Sequence, residues 1–386
     1  MKILYAAIDQ RVPGTTGGSI HVAAVAEGLA ALGHEVHALV TPGTGDPRAS
    51  AVHWTAVPAP FGSPHLRLAR ATSIARLVRA LRPDVIVERY HNFGGEAILA
   101  AAAAGALAVL EVNAPVIDYP GSWKGTLDRA LLVEPMRRWR ERIVRRADLI
   151  VTPSAAILPA ATPRERILEL EWGADTDRFR PRAGAAVPYA RPPVEMLAAF
   201  AGAFRSWHGA IHLVHAVRDL HARGIRRVGA VLIGDGPELP RVRAAAEGVP
   251  GILFTGALPH EAMPAALAGA DAGVAPFDPG AHAPLALGFY WSPLKLFEYM
   301  AAGLPVVAPS IDRLPRLVAH EREGLLYDRG RPGALAEALA RLVDPALRRT
   351  LGGAARERAE RDYSWGAHCR ALDAAFQRAR GVASTP

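Results

Sequence analysis

The side chains best placed for chemistry in this 386-residue chain lie in one stretch: Ser292-Pro293-Leu294-Lys295-Leu296-Phe297-Glu298-Tyr299-Met300-Ala301-Ala302-Gly303. Pro293 suits the first position of a helix, where its missing N–H would be unpaired anyway. Leu296, Tyr299 and Met300 fall at i, i+3 and i+4 and give that helix an apolar face. Gly303 supplies a positive-φ exit. The run Leu304-Pro305-Val306-Val307-Ala308 then reads as a strand covered on both faces. A helix start of this kind attracts phosphate through its first N–H groups and its dipole. Lys295, in the first turn, opposes that dipole unless an anionic ligand is also present. Lysine is scarce here, with only Lys2, Lys124 and Lys295 among 45 basic residues. A retained lysine therefore points to a need for a compact point charge. Glu298, ionised, only accepts hydrogen bonds, which suits sugar hydroxyls. The plainer reading of the pair is an exposed lysine and a solvated carboxylate.

Other candidates sit where predicted strands end. Gly17 and Gly18 close a loop, Pro13–Ser19, between a strand over Lys2–Ile8 and a helix over Ile20–Leu32. Such a pair brings backbone amides near an anion or a sugar, and also serves ordinary tight turns. It is neither a dinucleotide fingerprint nor a phosphate-loop motif. Arg89-Tyr90-His91 and Glu111-Val112-Asn113 end two further strands, where sheets of this class present ligand groups. His91 also fits a structural role. In the second half the pattern recurs: Glu195–Gly202 is a strand, Ala203–Gly209 a loop with Arg205 and His208, and Ile211–Leu220 a helix. Arg205 pairs well with phosphate, and His208 is a weaker, pH-dependent donor. Gly234-Asp235-Gly236 ends the strand Arg227–Ile233, and Phe277–Trp291 is a long loop with Asp278, His282 and Tyr290.

Strands alternating with helices define an α/β chain of two doubly wound, Rossmann-like domains. Further strands are expected at Glu35–Val40, Val52–Val57, Asp84–Glu88, Ala106–Val112, Asp148–Thr152, Gly251–Gly256, Asp271–Pro276 and, at an edge, Gly324–Tyr327. Further helices are expected at Leu66–Leu81, Ala97–Gly105, Leu131–Arg146, Ala334–Leu342, Pro345–Glu360 and after Ser364. Residues 183–193 read as the linker. The segment Leu131–Arg146 sets Leu132, Met136, Trp139 and Ile143 against six arginines. That pattern fits packing into the domain or contact with an anionic membrane surface.

Half the residues are hydrophobic, which marks a globular chain. A net charge of +8 favours anionic partners such as nucleotides. The single Cys369 excludes internal disulfides and a cysteine metal cluster. No apolar run is long enough to span a bilayer, and the start shows no leader pattern. A cytoplasmic protein is expected.

The stretch 292–303 resembles the donor-binding segment of retaining, family 4 type glycosyltransferases with the GT-B fold. Trp172-Gly173-Ala174-Asp175-Thr176-Asp177-Arg178-Phe179-Arg180-Pro181 resembles their interdomain passage, with Trp in place of Asn. The resemblance covers nearly the whole chain. It implies two domains facing a central cleft: residues 1–185 for the acceptor, residues 186–363 for the nucleotide-sugar donor, and residues 364–386 as a helix crossing back to the first. It implies that Glu298 binds the ribose, and that Gly17 and Gly18 face the donor phosphate. It implies that the loop after Gly202 clamps the diphosphate, and that residues 255–258, with Thr255, Gly256 and Leu258, meet the base. Ser292, Pro293, Leu294, Lys295, Leu296 and Gly234 complete the donor set, with Lys295, Glu298 and Arg205 catalytic. His91, Glu111, Asn113 and Tyr290 are assigned to the acceptor or the sugar. Four further positions depart from the family pattern. Tyr290 stands where the family has a first glutamate, Asn113 near the place of a histidine, and Ala203 and His208 at the clamp's Arg and Lys.

The expected activity is transfer of a sugar, with retention, from a nucleotide diphosphate sugar to an acceptor hydroxyl. The acceptor is a natural product, as in bacterial secondary metabolism, or a lipid-linked molecule. No cofactor, metal or nucleic acid is expected. The chain is expected to be a monomer or homodimer, peripheral at the inner membrane face if its arginine-rich helices touch lipid. The alternatives are a nucleotide-sugar 2-epimerase of the same fold, a nicotinamide-dependent oxidoreductase and a two-lobed sugar-binding protein. The absent dinucleotide fingerprint weighs against the oxidoreductase.

Overall fold

A computed structural model describes residues 1–43, 50–58, 69–131, 134–181 and 186–383. The chain divides into two compact units. The first comprises Met1–Trp172, Tyr290–Ser292 and Trp365–Pro386; the second comprises Gly173–Phe289 and Pro293–Ser364.

The first unit is built on a parallel sheet of seven strands in the order β3-β2-β1-β4-β5-β6-β7. These are β1 (Lys2–Val12), β2 (Glu35–Pro42), β3 (Val52–Ala56), β4 (Val85–Arg89), β5 (Leu107–Glu111), β6 (Leu149–Thr152) and β7 (Ile167–Glu169). The inner strands are continuous apolar runs because helices cover both faces of such a sheet. The helices are α1 (Gly17–Ala31), α2 (Ala71–Leu81), α3 (Glu96–Ala104), α4 (Trp123–Leu131) and α5 (Pro135–Arg146).

Gly17 and Gly18 belong to the first turn of α1, not to the expected loop. Thr16 starts the helix three residues early by accepting the Ser19 N–H at 3.2 Å. The expected single helix Leu131–Arg146 is two helices: Pro135 opens α5, and Glu134 before it has a left-handed φ of 45°. Leu132 lies outside the described residues, as do Leu66–Leu68 of the expected second helix and residues 183–185 of the expected linker.

The second unit holds a six-stranded parallel sheet in the order β10-β9-β8-β11-β12-β13. Its strands are β8 (Met196–Ala201), β9 (Val228–Ile233), β10 (Ile252–Gly256), β11 (Ala272–Val274), β12 (Val306–Pro309) and, at the edge, β13 (Gly324–Tyr327). Its helices are α6 (Ala210–Ala222), α7 (Leu239–Ala246), α8 (Met263–Ala268), α9 (Leu294–Ala301), α10 (Leu314–Leu317), α11 (Ala334–Arg341) and α12 (Pro345–Asp362).

Residues 173–181, expected in the first domain, pack with the second unit. Phe179 is buried there, and the Arg356 guanidinium donates to the carbonyls of Thr176 (2.8 Å), Phe179 (2.5 Å) and Ala301 (2.6 Å).

The last helix, α13 (Trp365–Ala383), belongs to the first unit. It buries Cys369, Leu372 and Phe376 in that unit's core. Gly28 of α1 is required by this packing, because a Cβ there would lie 2.4 Å from Cys369 Sγ. Among the described residues no helix is long and apolar enough to cross a membrane.

Candidate functional site

In the second unit, three adjacent strands end in glycines. Gly202 follows β8, Gly234 follows β9, and Gly256 closes β10. Their backbones interlock: Gly202 N–H donates to Ile233 O at 3.0 Å, and Gly234 N–H to Gly256 O at 2.9 Å. Gly202 and Gly234 have φ of 133° and 130°, open to glycine and strained for other residues. A Cβ at Gly234 would meet Gly202 O at 2.0 Å.

Lys295 reaches this junction from α9. Its Nζ would stand 3.0 Å from a Cβ at Gly202. It lies 4.4 Å from the centroid of the Phe200 ring and 5.6 Å from that of Phe277. The nitrogen is buried and makes no hydrogen bond. Burial pulls its pKa down to about 7, against a smaller pull upward from Glu298. The plainer reading, an exposed lysine, does not hold. The ammonium is desolvated, and aromatic faces are its neighbours.

Tyr299 ties the two parts together. Its buried hydroxyl accepts the Ala201 N–H at 2.8 Å, fixing α9 to the strand end beside Gly202. Glu298 is 9% exposed, and His260 Nε2 stands 3.5 Å from its Oε1. Leu294 is half-buried and Leu296 fully buried. The Leu296 N–H is already given to Pro293 O at 2.8 Å, so this amide is not available to an anion.

The clamp residues lie on the loop after Gly202. Arg205 packs its guanidinium 5.8 Å from the Trp207 ring centroid. His208 Nδ1 donates to Ala203 O, and burial, with Lys295 and Arg205 nearby, lowers its pKa to about 3. His208 is therefore a neutral ring and not a substitute cation, because its surroundings are already positive and poorly hydrated. Thr255 donates its hydroxyl to Gly256 O at 2.8 Å, and Leu258 is half-buried just beyond.

Ser292 does not join this set. It belongs to the first unit, where its hydroxyl donates to Glu171 at 2.7 Å and accepts the Trp172 N–H at 2.8 Å. Tyr290 is likewise buried in the first unit, and burial, with Tyr119 nearby, raises its pKa to about 12.

In the first unit, Glu111 is the hub of a buried network. It accepts from Tyr5 Oη (2.5 Å), Arg89 Nη1 (2.7 Å) and the Asn113 amide, and His21 Nε2 lies 2.9 Å away. Burial alone would raise its pKa. His21, Arg89 and the Tyr5 hydroxyl more than reverse that and hold it well below the usual carboxylate range. A carboxylate so fully engaged has little capacity left for a sugar. Asn113 is engaged too, its Oδ1 accepting the Trp172 indole N–H at 3.0 Å. His91 bonds its neighbour's carbonyl, Asn92 O, at 2.7 Å. Gly18 sits against the Gln10 side chain within α1's first turn.

Sequence reasoning missed the rest of this network: Asp9, His21, Trp172 and His368, and the aromatic pair under Lys295. Trp172, standing where the resembled family has Asn, was the one visible signal; it stacks on His21 at 4.4 Å.

Comparison with known proteins matches this architecture. Residues 15–161 match the family described as Glycosyltransferase Family 4, and residues 195–345 match Glycosyl transferases group 1. The chain is 28% identical to a GDP-mannose-dependent alpha-mannosyltransferase of Mycobacterium tuberculosis, over 97% of this chain and 96% of that one. It is 27% identical to the 2-deoxystreptamine N-acetyl-D-glucosaminyltransferase of Streptomyces fradiae, over 72% of this chain and 66% of the relative. Among solved structures, the sucrose-phosphate synthase of Thermosynechococcus elongatus superposes with a TM-score of 0.73 at 20% identity, covering 99% of both chains. The chain belongs to the family 4 glycosyltransferases, with the GT-B pair of Rossmann-like domains. It is an enzyme that transfers a sugar from a nucleotide sugar, and the epimerase and oxidoreductase readings are not favoured.

Proposed function

We propose that the second unit holds the donor's diphosphate at the glycine junction of β8, β9 and β10. Lys295 and Arg205 supply the charge, and Glu298 accepts the ribose hydroxyls. The observation that carries this reading is the Lys295 ammonium, buried without a hydrogen-bond partner. A desolvated cation is costly alone and well matched to a phosphate oxygen. Gly202 and Gly234 add backbone that a Cβ would block.

The donor's bond from C1 to its phosphate oxygen breaks as negative charge grows on the leaving diphosphate. Lys295, its nitrogen shielded from solvent, and Arg205, exposed on the loop beside it, stabilise that charge. The acceptor hydroxyl attacks C1 from the face the diphosphate leaves and gives its proton to a diphosphate oxygen, so configuration is retained. These cations supply the charge a metal would otherwise bring. Among the described residues no three His, Cys, Asp or Glu side chains are placed to hold a metal ion.

On the acceptor side, the strand ends of the first unit with His91 and Asn113 are proposed to line the acceptor's approach. Gly17 and Gly18 at the start of α1 belong to the same region. The acceptor is proposed to be a natural product or a lipid-linked molecule. Tyr290 in place of the first glutamate fits a less polar sugar. The place of action is proposed to be the cytoplasm or the inner membrane face.

Thermal melting against UDP, GDP, ADP and TDP tests the donor site. A ligand at 100 times its Kd stabilises by about 2.7 kcal/mol, so one nucleotide should raise the melting temperature of the wild type. The same nucleotide should shift Lys295→Ala far less. The reading fails if the shift is equal in both. Transfer that continues in excess EDTA, followed by the product's anomeric configuration, tests the metal-free, retaining course.

A further inference from the structure

Helix α4 is turned inside out. Its buried residues are Lys124, Gly125 and Asp128. Its exposed large side chains are Trp123 (51%), Leu127 (37%) and Leu131 (49%). At about 100° per residue these three form one stripe, spanning an arc of about 80°. This reverses the usual order of burial.

Polar contacts hold the helix in that orientation. The Asp128 carboxylate accepts the N–H groups of Met136 and Arg137, each at 2.8 Å, and so caps α5. Lys124 Nζ reaches Pro115 O at 3.3 Å and Asn92 Oδ1 at 3.4 Å. Arg140, buried beneath, donates to Met136 O at 3.1 Å and to Asp118 at 3.0 Å. Turning the stripe inward would break the Asp128 and Lys124 contacts, and with them the 3.5 Å pairing of Asp128 with Arg140.

Beside the stripe lies a concentration of positive charge. Residues 121–146 hold eight basic and three acidic side chains, five of the chain's net eight charges. Arg129 on α4 and Arg137, Arg138, Arg142, Arg145 and Arg146 on α5 are exposed. Glu141 pairs with Arg137 at 3.0 Å and Arg145 at 3.4 Å, which leaves the surface strongly cationic.

We propose that α4 and α5 form a docking surface for an anionic lipid bilayer. Trp123, Leu127 and Leu131 enter the boundary between headgroups and acyl chains, and the arginines meet the headgroups. An indole suits that depth, being apolar with one polar edge. Charge decides the occupant. A second copy of this surface would bring like charges together, whereas anionic headgroups neutralise them. The inference does not depend on the donor site, and its test uses no sugar nucleotide.

The full chain is mixed with vesicles of phosphatidylcholine containing phosphatidylglycerol, and with vesicles of phosphatidylcholine alone, and bound protein is measured by flotation. The wild type should float with the anionic vesicles and detach as salt rises from about 0.05 to about 0.5 M. A variant carrying Trp123→Ser, Leu127→Ser and Leu131→Ser should bind at least about tenfold more weakly, with unchanged circular dichroism and melting temperature. Arg137→Gln with Arg138→Gln and Arg142→Gln should weaken binding and flatten its salt dependence. Brominated lipid should quench the wild type more than Trp123→Phe, placing that indole in the bilayer.

Absence of vesicle binding at low salt overturns the proposal, as does undiminished binding by the serine variant. So does a wild-type dimer that vesicles cannot dissociate and the serine variant cannot form. Capture of an acidic protein by the stripe, without vesicle binding, overturns it as well.

Discussion

Glu111 in the first unit and Lys295 in the second are both buried ionisable groups near the carboxyl ends of parallel strands. Their surroundings differ in kind. Glu111 has Tyr5, His21, Arg89 and Asn113 within contact, so its charge is compensated inside the fold. Lys295 has two aromatic faces and no hydrogen-bond acceptor. A buried charge with a full set of partners is part of the architecture, and removing one partner harms stability. A buried charge without one is held at a cost that only a ligand offsets. The contrast separates structural ions from functional ones more sharply than burial does.

The largest effect expected from breaking this contrast is on the Glu111 side. Glu111→Gln removes the carboxylate that Arg89 and His21 share and leaves Arg89 with Asp9 alone, at 3.2 Å. It should destabilise the first unit by about 3–5 kcal/mol, seen in urea or thermal unfolding. A loss under about 1 kcal/mol would mean that the network adds little beyond solvation.

On the other side, Lys295→Ala should lower kcat by about 100- to 1000-fold, the usual result of deleting a donor that stabilises leaving-group charge. Glu298→Gln should also remove most activity, and both proteins should stay folded. Unchanged turnover in both would refute the site.

Lys295→Met tests the comparison most directly, because stability and activity should move in opposite directions. Replacing a desolvated ammonium by an apolar chain of similar shape should stabilise the ligand-free protein by about 1–3 kcal/mol while abolishing transfer. A matched fall in melting temperature would show that Lys295 is structural after all.

The smallest effect is a pH slope. The Lys295 pKa lies near 7 in the ligand-free protein, well below that of an unfolded lysine. Between those values the unfolded chain binds more protons, so ligand-free stability should rise as pH increases from about 7 towards 10. A bound diphosphate favours the ammonium and raises that pKa. Nucleotide affinity should therefore fall by up to about tenfold per pH unit above 7, measured by calorimetry. A flat profile, or one unchanged in Lys295→Met, would remove Lys295 from the phosphate site.

Much of the fold was legible. Each sheet strand is a short apolar run bounded by turn residues, and twelve of the thirteen were anticipated within a few residues, β12 among them as the run after Gly303; the short β7 was read only as part of the passage leading to Trp172. Strand β1 runs four residues past the expected end, because Asp9 and Gln10 continue the backbone into the polar strand end. The helix expected over Leu131–Arg146 failed at Pro135, whose role as a helix start was outweighed by the apolar spacing on either side of it. In the site, the types and places of Lys295, Glu298 and Gly202 were readable because local spacing carries them. The desolvation of Lys295, the neutrality of His208 and the saturation of Glu111 were not. Each depends in part on partners far away in the chain, as Glu111 does on Tyr5 and His21, Lys295 on Phe200 and His208 on Lys295, which no local pattern encodes. Helix α4 shows the same limit. Its apolar stripe was in the sequence, but Lys124 and Asp128 face inward only because of Asn92, Pro115 and the start of α5.

The return of α13 to the first unit bears on how the polypeptide matures during translation. Cys369, Leu372 and Phe376 fill the core around α1, although Cys369 lies 341 positions after Gly28. The first unit's strands and helices thus leave the ribosome well before α13 does, and its interior stays open until α13 emerges. Shortening the chain by even twenty residues would then wound the half that lies farthest from the cut in sequence.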